Sequence, residues 1–250
     1  MALQEELEAQ GNWLFRYRGI FPLIILLIGT VLYLWTKLYP ETFFLRNTAY
    51  EIYFESFCLV VSLFGLAIRV YTVGYTPRNT SGRNVKDQVA DLLNTTGIYS
   101  TVRHPLYLGN FFMWLGPALM TGQFWFVIAF CFFYWIYYER IMFAEEQYLR
   151  KKFEATYLDW AKNVPAFIPS FKNFDNSNLT FSWKKVLRNE KNGLVAIFII
   201  FFFFDVAGEL VVNERNFNFF IMTCFILSLI LYFILKYLKH RTNILEEVGR

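Results

Sequence analysis

Arg103-His104-Pro105-Leu106-Tyr107-Leu108-Gly109 is the stretch on which the reading of this chain turns. A polar loop precedes it and a strongly apolar run follows, so an adjacent Arg and His sit where a loop meets a membrane segment. Either side chain is costly to bury in lipid. Pro105 forces His104 out of the helical region and is itself suited to the first helical position. Two polar side chains are thereby fixed at the mouth of a helix. A second polar pair, Glu145-Glu146, follows another apolar run. Acidic and basic groups at matching ends of two apolar segments meet if those segments fold back on each other.

Working outward, six apolar segments lie at 20–38, 52–73, 106–121, 124–138, 193–212 and 217–238. The first two and last two have the roughly 20 residues that a bilayer-crossing helix needs. The middle two have 16 and 15 residues and are joined by Gly122-Gln123. Each spans only about 24 Å, which predicts one tight helical hairpin. A 56% hydrophobic and 21% aromatic content excludes an ordinary soluble domain. The predicted fold class is all-α, a polytopic membrane protein with about six transmembrane helices. Glu5, Glu6 and Glu8 precede the first apolar segment and no small-residue cleavage site follows it, so it reads as a retained helix. Cys58, Cys131 and Cys224 lie inside apolar segments and the two histidines are far apart, so neither a disulfide framework nor a metal site is expected.

Six crossings put both termini on one side. That side would carry twenty basic residues against three, Lys37, Arg46 and Arg215, on the other. The positive-inside rule then makes both termini and the motif loops cytoplasmic. Nothing in the charge pattern calls for nucleic acid. The sequons at Asn79, Asn94 and Asn178 face the cytoplasm on this topology and are read as chance. The polar stretch 74–96 reads as an ordered loop or short helix. From Glu139 onward the pattern is amphipathic, with Leu149, Phe153, Tyr157 and Trp160 at helical spacing, and Pro165 and Pro169 end it. The chain divides into N-terminal membrane helices (1–64), a core (65–170), and a connector with two accessory helices (171–250). Arg69 reads as a snorkelling residue at the inner end of its helix. Asp205 and Glu209, four apart in an outer half-helix, read as a pair for Arg215 or the lining of a wet outer vestibule.

Gly97-Ile98-Tyr99, the Arg103–Gly109 run, Glu145-Glu146-x-x-Leu149-x-x-x-Phe153-x-x-x-Tyr157 and Val164-Pro165 through Pro169 occur in order. Together they resemble the isoprenylcysteine carboxyl methyltransferase and phospholipid methyltransferase superfamily, over roughly residues 65–169. The resemblance implies an integral membrane enzyme that uses S-adenosyl-L-methionine. It implies cofactor contacts at Tyr99, at His104, Pro105, Leu106 and Tyr107, and at Glu145, with Arg103 and Glu146 as neighbouring candidates. The segment before Gly97 contributes in the family, which points to Leu92, Leu93 and Asn94, with Asn84 further back. An arginine one turn before the acid pair is associated with the acceptor. Here that is Arg140, set five residues before Glu145 rather than four.

These residue types suit the chemistry independently. A sulfonium cation and an amine call for carboxylates and aromatic faces, the latter contributing about 0.5–2 kcal/mol per contact. No Gly-x-Gly-x-x-Gly run follows a strand pattern, which excludes a soluble dinucleotide-type site. A carboxylate or phosphate acceptor needs no base, whereas an amine must lose a proton. With His104 committed to the cofactor, the residues favour an anionic acceptor. The expected partner is a membrane lipid or a lipidated substrate such as a prenylated cysteine. The competing enzyme class is an NADPH-dependent sterol or steroid reductase, and a non-catalytic scaffold or transporter is a third reading.

Overall fold

A computed structural model describes residues 2–77, 90–247 and 249. Among them lie seven α-helices: α1 (Leu3–Arg16), α2 (Ile20–Leu38), α3 (Glu51–Gly74), α4 (Pro105–Met120), α5 (Phe124–Ala161), α6 (Trp183–Val211) and α7 (Phe219–Arg241). Helices α2 to α7 fall on the six apolar segments, and the protein is a polytopic, all-α membrane protein. Five of them are long and apolar enough to cross a bilayer; α4, at 16 residues, falls short by length. It folds back on α5 through Thr121-Gly122-Gln123. Gly122 takes a left-handed conformation (φ 69°) that a side chain would strain.

Helix α5 has 38 residues, about 57 Å, against a hydrocarbon thickness near 30 Å. Its apolar half ends at Tyr138 and its polar half, from Glu139, extends past the membrane, as the amphipathic pattern predicts. The helical backbone is interrupted at Glu154 (φ 45°, ψ −120°) and the helix ends at Ala161, ahead of Pro165.

Helix α1 is the element the apolar pattern does not announce. It lies along the polar half of α5 because Leu7, Gly11 and Phe15 recur every four residues. Gly11 and Phe15 are buried, and a side chain at Gly11 would collide with the carbonyl of Arg140. Gln4 donates to Gln147 and Lys151 donates to Glu8 across the same seam.

Two apolar cores result. One joins α2, α3 and α6 through Tyr33, Cys58, Leu66, Phe201 and Phe204. The other joins α1, α4 and α5 through Phe15, Tyr107, Tyr134, Tyr138 and Ile141. Helices α3 and α4 pack closely between them at Gly65, Gly109 and Gly116. A Cβ at Gly65 would lie 2.4 Å from the Gly109 carbonyl oxygen, one at Gly116 2.4 Å from that of Cys58, and one at Gly109 2.6 Å from Cγ of Arg69, so only glycine there lets that arginine pass α4.

Candidate functional site

The site begins with backbone. His104 caps α4 in a non-helical conformation (φ −120°, ψ 59°) and Pro105 opens the helix. The N–H of Arg103 donates to the Pro165 carbonyl (2.9 Å), that of His104 to Ala166 (3.1 Å), and that of Ser170 to Thr101 (2.9 Å). Further along, Gly97 donates to Asp175 (2.8 Å) and the Trp160 indole to the Tyr99 carbonyl (3.2 Å). The segment after α5 is therefore a strap across the chain that leads into α4. Pro165, one of the two prolines that end the helical pattern, and Ala166 after it place carbonyls where the motif needs acceptors.

On this frame the motif side chains converge. The His104 ring is 7% exposed; its Nε2 lies 3.0 Å from Glu146 and its Nδ1 3.6 Å from Glu145. The Tyr107 hydroxyl donates to Glu145 at 2.7 Å, and the Tyr134 hydroxyl holds the Tyr107 carbonyl at 2.7 Å. Arg103 reaches Glu146 at 3.0 Å and donates to the Ala161 carbonyl at 3.0 Å. Burial disfavours a charged imidazole, but the carboxylates of Glu145 and Glu146 outweigh it and hold His104 above the ordinary histidine pKa. Burial likewise raises Glu146, yet its hydrogen bond to His104 and the charges of His104 and Arg103 leave it below the usual carboxylate range. Basic and acidic ends of the hairpin do meet.

A cavity of about 430 Å³ opens beside this network, lined by Tyr99, Arg103, His104, Pro105, Leu106, Tyr107 and Glu145 among others. That volume lies within the roughly 300–1,000 Å³ of small-molecule sites. Glu146 is absent from its described lining and stands behind His104. Leu92, Leu93, Asn94 and Arg140 are not on it either. Leu92 is exposed, and the Arg140 guanidinium lies 3.6 Å from Glu139. Arg78, Asn79, Arg83 and Asn84 fall outside the described residues.

Other cavity residues went unread in the sequence. Asn110 and Trp114 line it one and two turns into α4, and Tyr138 lies two turns before Glu145 on α5. Helical spacing from Tyr107 and Glu145 was the available signal. Arg69 is not a snorkelling residue. Its guanidinium turns inward, giving Glu190 two hydrogen bonds of 2.8 Å each and Asn110 one of 2.7 Å. Glu190 is 4% exposed and, with Asn189, brings α6 onto the cavity wall. The start of α6 is anchored to the same region. The Ser182 N–H donates to the Gly74 carbonyl (2.9 Å), the Ser182 hydroxyl donates to Glu247, and Lys185 caps the end of α3 through Thr76 and Pro77. Arg18, from the α1–α2 turn, is the remaining basic residue on the wall.

Asp205 and Glu209 belong to a separate cavity of about 720 Å³, shared with Glu51, Glu55 and Lys37. They accept the backbone N–H groups of Asn218 and Asn216, and Glu209 lies 3.9 Å from Lys37. Lys37, rather than Arg215, is the basic neighbour of Glu209 there.

Residues 57–156 match the phospholipid methyltransferase family. Among curated proteins, the chain is 40% identical over 79 residues to a protein-S-isoprenylcysteine O-methyltransferase of Schizosaccharomyces pombe, covering 31% of this chain and 33% of that one. It is 31% identical over 114 residues to the protein of the same name in Saccharomyces cerevisiae, covering 45% and 47%. A nickel-cobalt-cadmium resistance protein of Alcaligenes xylosoxydans xylosoxydans is 31% identical over 111 residues, covering 44% and 49%. The chain thus spans a third to a half of the length of these relatives. No solved structure matches it significantly.

Proposed function

We propose that this protein, whose residues 57–156 match the phospholipid methyltransferase family and which is similar to isoprenylcysteine methyltransferases, transfers methyl groups from S-adenosylmethionine to a lipophilic acceptor. The observation that carries this reading is the convergence of His104, Tyr107 and Glu145 from both ends of the hairpin on one cavity, with Glu146 holding His104 from behind. Glu145 is placed for the cofactor's cationic groups, and Tyr107, Tyr138 and Trp114 offer aromatic faces beside it. Glu146 orients His104 and keeps its donor aimed. When bound, the cofactor supplies a methyl group activated on a positive sulfur. The chain's own part is to position the two reactants and to exclude water, the means by which a displacement without a covalent enzyme intermediate is accelerated.

The names of the curated relatives support a prenylated cysteine carboxylate as acceptor, with a lipid head group or lipid phosphate as the other source of the same anionic chemistry. They do not favour the reductase. Membranes containing the protein, incubated with methyl-labelled cofactor, should yield a labelled lipid or lipidated protein identifiable by mass spectrometry. Binding of NADPH in place of S-adenosylmethionine would reject the reading.

Both termini and the cavity mouth are proposed to be cytoplasmic, on the strength of the twenty basic residues on that side. Lys184 lies exposed at the start of α6. A Lys184→Cys variant should react with an impermeant thiol reagent only once the cytoplasmic face is opened. Labelling from outside intact cells would invert the topology.

A further inference from the structure

We propose that the strap is seated in the lipid interface through Ile168 and Phe171, and that this seat keeps the Pro165 and Ala166 carbonyls on the chain that leads into α4. The partner is the bilayer itself, whatever reaction the cavity performs.

Ile168 and Phe171 are each 75% exposed, three residues apart on a segment outside any helix. In water the pair would leave its apolar surface unburied. The neighbouring ring shows what covers it. Phe167 packs edge-on against Trp135 (5.3 Å between centroids) and Phe111 (6.1 Å). Phe111 lies about 9 Å into α4 from Pro105, and Trp135 belongs to the apolar half of α5. Trp135 is 41% exposed, on one face with Phe132 (66%) and Ile136 (52%). The strap therefore adjoins the lipid-facing surface of the hairpin, and Ile168 and Phe171 continue that surface.

Irregular backbone enters this level only where its polar groups are held. Pro165 and Pro169 carry no N–H. The carbonyls of Pro165 and Ala166 accept from Arg103 and His104, and the Ser170 N–H donates to Thr101. Lys172, exposed, follows Phe171, which sets a cation beside the apolar pair at the height of lipid phosphates. The residues that meet lipid are thus continuous with the two carbonyls that orient Arg103 and His104. Withdrawing Ile168 and Phe171 from the bilayer loosens the strap where it grips the site.

Two measurements on the full chain in phosphatidylcholine proteoliposomes test this, and neither uses a cofactor or an acceptor. In the first, Cys58, Cys131 and Cys224 are replaced by alanine and a nitroxide is attached in turn to Ile168→Cys, Phe171→Cys and Lys162→Cys. Lys162, with 72% of its side chain exposed, is the aqueous reference. At the first two positions the nitroxide should collide with oxygen more often than with a water-soluble nickel chelate, and at the third the order should reverse. Nickel access equal to that of the reference would put the strap in water. Exclusion of both colliders would put it against protein, and either result overturns the assignment.

The second measurement keeps the native cysteines and so does not depend on the alanine background. In the double variant Ile168→Ser, Phe171→Ser, the amides of Arg103 and His104 should exchange hydrogen about tenfold or more faster than in wild type, while those in the middle of α3 keep their protection. Unchanged exchange at Arg103 and His104 would mean that lipid does not hold the strap. Lost protection in α3 as well would make the pair part of the general packing, which also defeats the proposal.

Discussion

Glu190→Ala should lower the stability of the folded protein by about 3–5 kcal/mol, the usual consequence of leaving one partner of a buried ion pair behind. Both carboxylate oxygens of Glu190 are held by Arg69, and the side chain is 4% exposed. Its loss leaves a guanidinium bonded to the neutral Asn110, without the carboxylate that both of its hydrogen bonds to Glu190 served. The cost has two parts, the lost hydrogen bonds and the uncompensated charge, and the second dominates. Replacing the pair together, Arg69→Met with Glu190→Leu, should recover most of the loss, because neither charge then has to be desolvated. Denaturation midpoints of the purified protein in detergent would measure both variants. A single-variant cost under about 1 kcal/mol would mean that water solvates the pair freely.

His104→Ala and Glu145→Gln should each weaken S-adenosylmethionine binding at least tenfold, about 1.4 kcal/mol. His104 is the buried centre of the network, within 3.6 Å of both glutamates, so its removal takes one partner from each and leaves Glu145 with Tyr107 and Glu146 with Arg103. Glu145→Gln is the more informative variant. It preserves shape and an acceptor for the Tyr107 hydroxyl, now 2.7 Å away, and removes only the charge that a sulfonium or ammonium group would meet. Equilibrium binding of labelled cofactor to solubilised protein gives the answer without an acceptor. Wild-type affinity in both variants would remove these residues from the cofactor site.

The sequence displays the membrane helices because lipid imposes long apolar runs, and the six runs match α2 to α7. It also displays the hairpin, since segments of 16 and 15 residues joined by two are too short to do anything else. Helix α1 escapes notice because only Leu7, Gly11 and Phe15 mark its packed face, and glycine at the point of closest approach carries no hydrophobic signal. The site is legible where it is local: His104, Tyr107 and Glu145 follow from motif and spacing. Arg140 shows the limit of that approach. Five residues before Glu145 is about 140° around the helix, a different face. Arg69 was misjudged for another reason: its partner Glu190 lies 121 residues away, and no local pattern announces so distant a carboxylate.

The strap over α4 has a consequence for how the protein is made. His104 obtains its carbonyl partner from Ala166, and Arg69 its carboxylate from Glu190, both beyond residue 156. A chain ending just past the shared segment would hold His104, Tyr107, Glu145 and Glu146 and still lack the backbone that orients them. The short α4 and the long α5 can enter the bilayer as a pair, but the cavity takes its final form only after α6 has left the ribosome. Completion of the site is thus a late event in biogenesis, and a chain truncated near residue 156 and released from the ribosome should insert the hairpin without a competent binding pocket.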